Sequence, residues 1–362
     1  MIFTISNNTY QIWLPIFTLN DVAYNQKFYQ FLLIFELLLS LTVLVFTITS
    51  GFIILTRTAF HKNFNSLIAI VVLSWLFSAA GKLLLTPYFI GFWVIEPVTR
   101  GLPWWTCDVA KMARLDSISS AWPLFLGGAL TWYYMSILTT CLITLSIERV
   151  CASFFIKNYE NTRRTYLLAL LILFQQILIF LLGYFLFFNL IHFITIVSVL
   201  VGLNVLAMMV FCINRWYNLK VLREFEQRPR ESAKHYTLPV RFQAKENLRV
   251  FNLTARVFVV GFFLIILGFT FCVMITFEWA PSLETLLIFC FENLIHLNPL
   301  IINAVLILSV STWSKALPNS RLFRKISLIK VHPIVPNHSQ QQETDTYFSQ
   351  LHSVWEKKVN VL

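Results

Sequence analysis

Two groups of ionisable residues interrupt a chain that is 57% hydrophobic and only 12% charged. The first comprises Glu36, Lys82, Glu292 and His296, each inside a long apolar run. A charged side chain in hydrocarbon costs about 2.5–3.5 kcal/mol on insertion scales, so such residues need partners. An ammonium placed between carboxylates supplies them. Counted from the predicted outer ends of their runs, Glu36, Lys82 and Glu292 are about eight to ten residues deep, within a few ångströms of one level. Lys82 is therefore expected to pair with Glu36, Glu292 or both, with His296 one turn below Glu292 on the same face. Two readings stay open: the polar floor of an outer ligand pocket, or an intramembrane ion pair that holds helices in register.

The second group is Glu148-Arg149, at the inner end of the third apolar run. An Arg there either pairs with its neighbouring carboxylate or swings to a partner, giving a two-state switch. The alternative is a plain anchor that snorkels to lipid phosphate. Neither group resembles a catalytic constellation. The seven His are scattered, and no Gly-rich phosphate loop, nucleophile elbow or zinc spacing occurs. No enzyme, cofactor or metal site is expected. Five of the six Cys lie in or beside apolar runs, and Cys107 falls in a predicted external loop.

These residues must be positioned by helices, because crossing a bilayer takes about 20 apolar residues. Seven runs qualify, at 29–55, 66–90, 117–147, 165–190, 193–213, 253–277 and 283–309. The expectation is an all-α integral membrane protein, a bundle of seven transmembrane helices occupying 29–310. Residues 1–28 form an extracellular N-terminus, and 311–362 a cytoplasmic tail with an amphipathic helix at 319–330. Charge sets the direction. With the N-terminus outside, 23 of the 28 Lys and Arg fall on the inner side, Arg256 among them. Four fall outside, and Lys82 is within a span. Of the sequons at Asn7, Asn252 and Asn337, only Asn7 faces the glycosylating side in this topology. The net charge of +11 thus reports topology, and no nucleic-acid partner is expected.

The connection between the fifth and sixth runs is the basic centre of the chain. Arg215–Arg223 extends the fifth helix amphipathically, and 228–232 breaks as a loop. After Pro239, Arg241, Lys245 and Arg249 lie on an extension of the sixth helix, with Phe242, Leu248 and Phe251 expected to pack. This is a surface for a cytosolic partner, or for anionic lipid at about 1 kcal/mol per basic residue.

The run from Glu148 to Glu160 resembles the signature that follows the third helix in nematode serpentine chemoreceptors of class epsilon. Arg241 to Arg249 is similar to a second signature of that class, before its sixth helix. Asn298-Pro299, with Asn303 beyond, resembles the seventh helix of many G-protein-coupled receptors. The resemblance implies a chemoreceptor of the plasma membrane in sensory neurons, serving sensory perception of chemical stimulus. Its implied partners are a small-molecule ligand, a heterotrimeric G protein and the lipid bilayer, with Glu148 and Arg149 at the acid–Arg switch. The chain departs from the rhodopsin-like pattern in having no Cys between the fourth and fifth helices to pair with Cys107. The alternative function is a polytopic small-solute transporter, against which stand the odd number of spans and the absence of an internal repeat.

Overall fold

The computed structural model describes residues 1–5, 10–95, 112–156, 164–191, 193–227, 238–277 and 279–317. Asn7, Cys107 and the helix expected at 319–330 lie outside them. Among the described residues, seven helical spans are long and apolar enough to cross a membrane.

The first span is Lys27–Thr56. The second is broken, as Lys62–Leu73 and Trp75–Phe89. The third is Trp122–Phe154 and the fourth Thr165–Phe187. The fifth is Phe193–Gln227 and the sixth Leu238–Thr276. The seventh is broken as well, as Glu284–His296 and Pro299–Ser309.

The seventh-span break follows from one proline. Pro299 has no N–H, which would leave the Ile295 carbonyl without its helical donor. The Asn298 side-chain amide donates to that carbonyl instead, at 2.7 Å. Leu300 N–H turns to Leu297, and the His296 carbonyl accepts the Trp75 indole N–H at 2.6 Å. The broken helix therefore leaves these carbonyls satisfied, and one of the replacement donors comes from another span. The second-span break, at Ser74, was not expected. Its hydroxyl donates to the Val71 carbonyl at 2.6 Å, a local bond that competes with the helix ladder.

The third span also departs from expectation. It was expected to end at 147, but it runs on through Glu148 and Arg149 to Phe154. The fourth and fifth spans are separated by a tight turn, with Asn189 in the left-handed region at φ 51°.

The N-terminal segment contributes two strands of a three-stranded sheet. β1 (Ile2–Ile5) pairs antiparallel with β2 (Tyr10–Trp13) and parallel with β3 (Ala113–Leu115). Met1, Phe3, Leu14 and Ile16 pack on Leu85, Tyr88 and Leu124 from the second and third spans. The sheet closes one end of the bundle, called here the sheet end; the opposite one, with Arg149, is the arginine end.

The second and third spans touch through two glycines. A Cβ at Gly81 would lie 2.6 Å from Thr131 Oγ1 and 2.8 Å from the Gly127 carbonyl. Small residues let helix backbones approach where lipid gives no hydrophobic drive. Gly81→Ala is expected to lower stability by about 1–3 kcal/mol through overpacking. Thermal melting of detergent-purified protein checks this, and an unchanged midpoint would show that the contact yields freely.

Candidate functional site

Three features meet in the bundle: a charged cluster, a large cavity and a polar network at the arginine end. In the cluster, Lys82 Nζ reaches Glu36 Oε1 at 3.2 Å and Glu292 Oε2 at 3.1 Å. The two glutamates and His296 are buried. One ammonium thus joins the first, second and seventh spans. Both imidazole nitrogens of His296 are engaged, by Ser40 Oγ at 3.0 Å and Ser78 Oγ at 3.2 Å. Trp75 lies against the His296 ring, with centroids 5.3 Å apart.

The cavity has a volume of about 1880 Å³ and lies among the second, third, fifth, sixth and seventh spans. Phe17–Ala23 contribute to its lining at the sheet end. Trp132, Tyr134 and Ser136 line its third-span side, and Asn298 and Asn303 its seventh-span side. Glu36, Lys82, Glu292 and His296 do not line it. Of the two readings left open for these residues, the contacts accord with an ion pair that holds the helices in register. Lys82 is shared by the two carboxylates, and Trp75 stands on the cavity wall beside them. The seventh-helix pair behaves differently. Tyr134 donates its hydroxyl to Asn298 Oδ1 at 2.8 Å, joining the third span to the break in the seventh. Asn303 Nδ2 reaches Thr47 Oγ1 at 3.4 Å.

At the arginine end, Glu148 is 0% and Arg149 1% exposed. Both are enclosed by neighbouring helices, and the third span continues past them to Phe154. The guanidinium pairs with Glu148 through Nε, and its Nη2 donates to Glu148 Oε1 at 2.5 Å. Nη1 donates to Asn247 Oδ1 at 3.2 Å and stands 3.7 Å from Glu246 Oε1. The Phe64 ring lies beneath it at 4.8 Å, a cation–π contact from the second span. Glu246 Oε1 also accepts from the His61 backbone N–H at 2.7 Å, at the start of the second span. Burial pushes the His61 imidazole below its ordinary pKa, against the opposing pull of Glu148 and Glu246.

Asn247 is the hub. Its Nδ2 donates to Ser153 Oγ at 2.9 Å and Asn218 Oδ1 at 3.0 Å, while its Oδ1 also accepts from Gln243 at 3.1 Å. The third, fifth and sixth spans are thereby tied in one neutral network around one ion pair. Arg249, read from sequence with Arg241 and Lys245 as a basic surface, is exposed, and the sixth-span residues that contact Arg149 are Glu246 and Asn247. Phe242, expected to pack, is exposed; Val240, Ala244 and Val250 form the buried stripe. The missed signal was the four-residue spacing of Asn214 with Asn218 and Gln243 with Asn247, which puts each pair on one helical face.

Among the described residues, no cluster of three or more His, Cys, Asp or Glu suited to a metal ion occurs. Residues 1–356 match the family model described as Sre G protein-coupled chemoreceptor. The chain is 33% identical to serpentine receptor class epsilon-45 of Caenorhabditis elegans, across 98% of this chain and 100% of that one. It is 28% identical to serpentine receptor class epsilon-38 of the same organism, across 98% and 99%. Serpentine receptor class epsilon-27, also from Caenorhabditis elegans, is 28% identical across 97% and 98%. No solved structure matches.

Proposed function

The chain belongs to the Sre family of G protein-coupled chemoreceptors, and from that premise we propose that it detects a small molecule outside the cell and signals to a heterotrimeric G protein inside. It is a multi-pass membrane protein. In the proposed orientation the sheet end faces outward and the arginine end faces the cytoplasm, as the basic loops favour. The plasma membrane of sensory neurons is the proposed location. The ligand site is the cavity, and Arg241, Lys245 and Arg249 offer a basic face beside the switch for the G protein.

The observation that carries this reading is the buried Glu148–Arg149 pair, held by Asn247 and Glu246 of the sixth span. An arginine with alternative partners at a helix junction is a two-state element that a ligand elsewhere in the bundle can bias. In this proposal the arrangement with the arginine occupied by its own chain is the closed state. Glycosylation at Asn7 fits an external N-terminus.

The test is a G-protein reporter in cells expressing the chain, challenged with a ligand panel beside an Arg149→Ala copy at equal surface level. A ligand-dependent signal is expected, and it is expected to be abolished in Arg149→Ala. An undiminished signal would remove Arg149 from the switch. Ligand-driven solute flux without G-protein activation would replace the receptor with a transporter.

A further inference from the structure

Where the third and fifth spans meet, the cavity wall carries two oxygens set to accept hydrogen bonds. On the fifth span, Ile196, Leu200, Asn204, Ala207 and Phe211 recur at helical spacing. Ile196, Ala207 and Phe211 are buried, and Leu200 packs on the cluster around Trp132. The Ala207 carbonyl accepts the Ser146 hydroxyl of the third span at 3.1 Å. Asn204 therefore sits on the face turned toward the third span, and it lines the cavity. Its Nδ2 donates to the Thr139 carbonyl at 2.9 Å and to the Leu200 carbonyl at 2.8 Å. An amide nitrogen has two hydrogens, and both are spent.

Those two bonds fix the amide, and Oδ1 is what Asn204 has left to offer. Asn204 is half-buried, and among the described residues nothing donates to this oxygen and packing does not seal it. Thr139 is also half-buried and lines the cavity. Its hydroxyl hydrogen is directed to the Met135 and Ser136 carbonyls, each at 3.1 Å, which leaves Oγ1 as a second acceptor. Donors are spent elsewhere on the lining too: Asn298 Nδ2 on the Ile295 carbonyl, and the Thr285 hydroxyl on Asp21 Oδ2 at 2.7 Å. Around Asn204 and Thr139 the lining is apolar, with Met135, Leu138 and Leu142 from the third span and Val205 and Met208 from the fifth.

A ligand group that meets this wall has to donate. An acceptor there would set lone pairs against lone pairs and leave polar groups unpaired away from water. We infer that the cavity selects an apolar molecule by a hydroxyl or N–H group that donates to Asn204 Oδ1 beside Thr139 Oγ1, which makes Asn204 the specificity-determining residue. This rests on the cavity being the ligand site, as proposed above. A cavity of about 1880 Å³ is too large for shape to tell an alcohol from the ketone on the same skeleton, so the hydrogen bond makes the distinction.

The experiment uses the full chain in lipid nanodiscs and matched trios of alcohol, ketone and methyl ether on cyclohexane, decalin and adamantane skeletons. Affinity is read from the rise in melting temperature over a concentration series, with empty discs correcting for partition into lipid. On at least one skeleton the alcohol is expected to bind about five- to tenfold more tightly than its ketone and its ether, the size of one neutral hydrogen bond. Asn204→Leu is expected to bring that ratio to about one, and Thr139→Val, which keeps the side-chain shape, to lower it. A ketone or ether that binds as tightly as its alcohol overturns the donor rule. An alcohol preference that survives both substitutions removes Asn204 and Thr139 from the site. A melting temperature that no member of any trio raises also overturns the proposal. These readouts need no G protein, so the receptor reading fails separately. Binding that follows the rule, with a G-protein response that Asn204→Leu leaves unchanged, would keep the site and remove it from signalling.

Discussion

Lys82→Met is expected to abolish most surface expression, and adding Glu36→Gln and Glu292→Gln together is expected to restore it. Lys82 is the shared partner of two buried carboxylates, at 3.2 and 3.1 Å. Removing it leaves both where hydrocarbon surrounds the bundle, and breaking a buried pair costs about 3–5 kcal/mol. That is a large fraction of the 5–15 kcal/mol by which ordinary domains are stable. The triple variant has no charge left to strand, so the penalty vanishes even though every ion pair has gone. Replacing buried ion pairs by neutral groups is often neutral or better. Single Glu→Gln changes should cost less than Lys82→Met, because each leaves the ammonium its second carboxylate. Surface immunolabelling and melting in detergent read the whole series. If the triple variant expresses no better than Lys82→Met, the coupling among these residues is absent and the cluster has another role. Because the cluster does not line the cavity, ligand response at matched surface level should be retained in the triple variant.

The cluster was readable in the sequence because charge inside an apolar run is anomalous, and equal depth counted along helices brought the three residues to one level. The proline break in the seventh span was readable in the same way, since a missing N–H forces its consequences. Ser74 gave no comparable sign: serine occurs in unbroken helices, and only its local bond to Val71 shows the break. The sheet was hidden because Ile2–Ile5 and Ala113–Leu115 are short and pair across more than a hundred residues of chain, a contact no local pattern encodes. The arginine-end network was half readable. Glu148-Arg149 stood out by charge, and the basic residues of the sixth-span extension drew attention for the same reason. The partners that matter there are neutral: Asn247, Asn218 and Ser153 look like surface residues on an amphipathic helix. Only packing shows that their stripe, continuous with Val240 and Ala244, faces inward. The cavity was not readable at all, because it is defined by where helices diverge.

Asn247→Ala is expected to raise basal G-protein activation without ligand by more than tenfold at equal surface level. Asn247 accepts from Arg149 and Gln243 and donates to Ser153 and Asn218. Alanine removes all four bonds and leaves the guanidinium with Glu148 and Glu246. A hydrogen bond to a charged group is worth about 1.5–3 kcal/mol, and the neutral ones about 1 kcal/mol each. Some of that is recovered by water at the arginine end, so a net loss of about 2 kcal/mol from the proposed closed state is reasonable. If closed exceeds open by about 100 to 1, that loss brings the ratio to about 3 to 1 and the open fraction from about 1% to about a quarter. Glu246→Gln should act in the same direction but more weakly, because Glu246 stands 3.7 Å from Nη1 and is partly exposed, where water screens the pair. Combining Asn247→Ala with Arg149→Ala should silence the receptor again, since in the proposed switch the arginine released by the first change is the group the partner needs. Nucleotide exchange on purified G protein, with receptor in vesicles, measures all three. Basal exchange in Asn247→Ala equal to that of the unaltered chain, with a lowered melting temperature, would make the network a structural tie and deny it any part in switching.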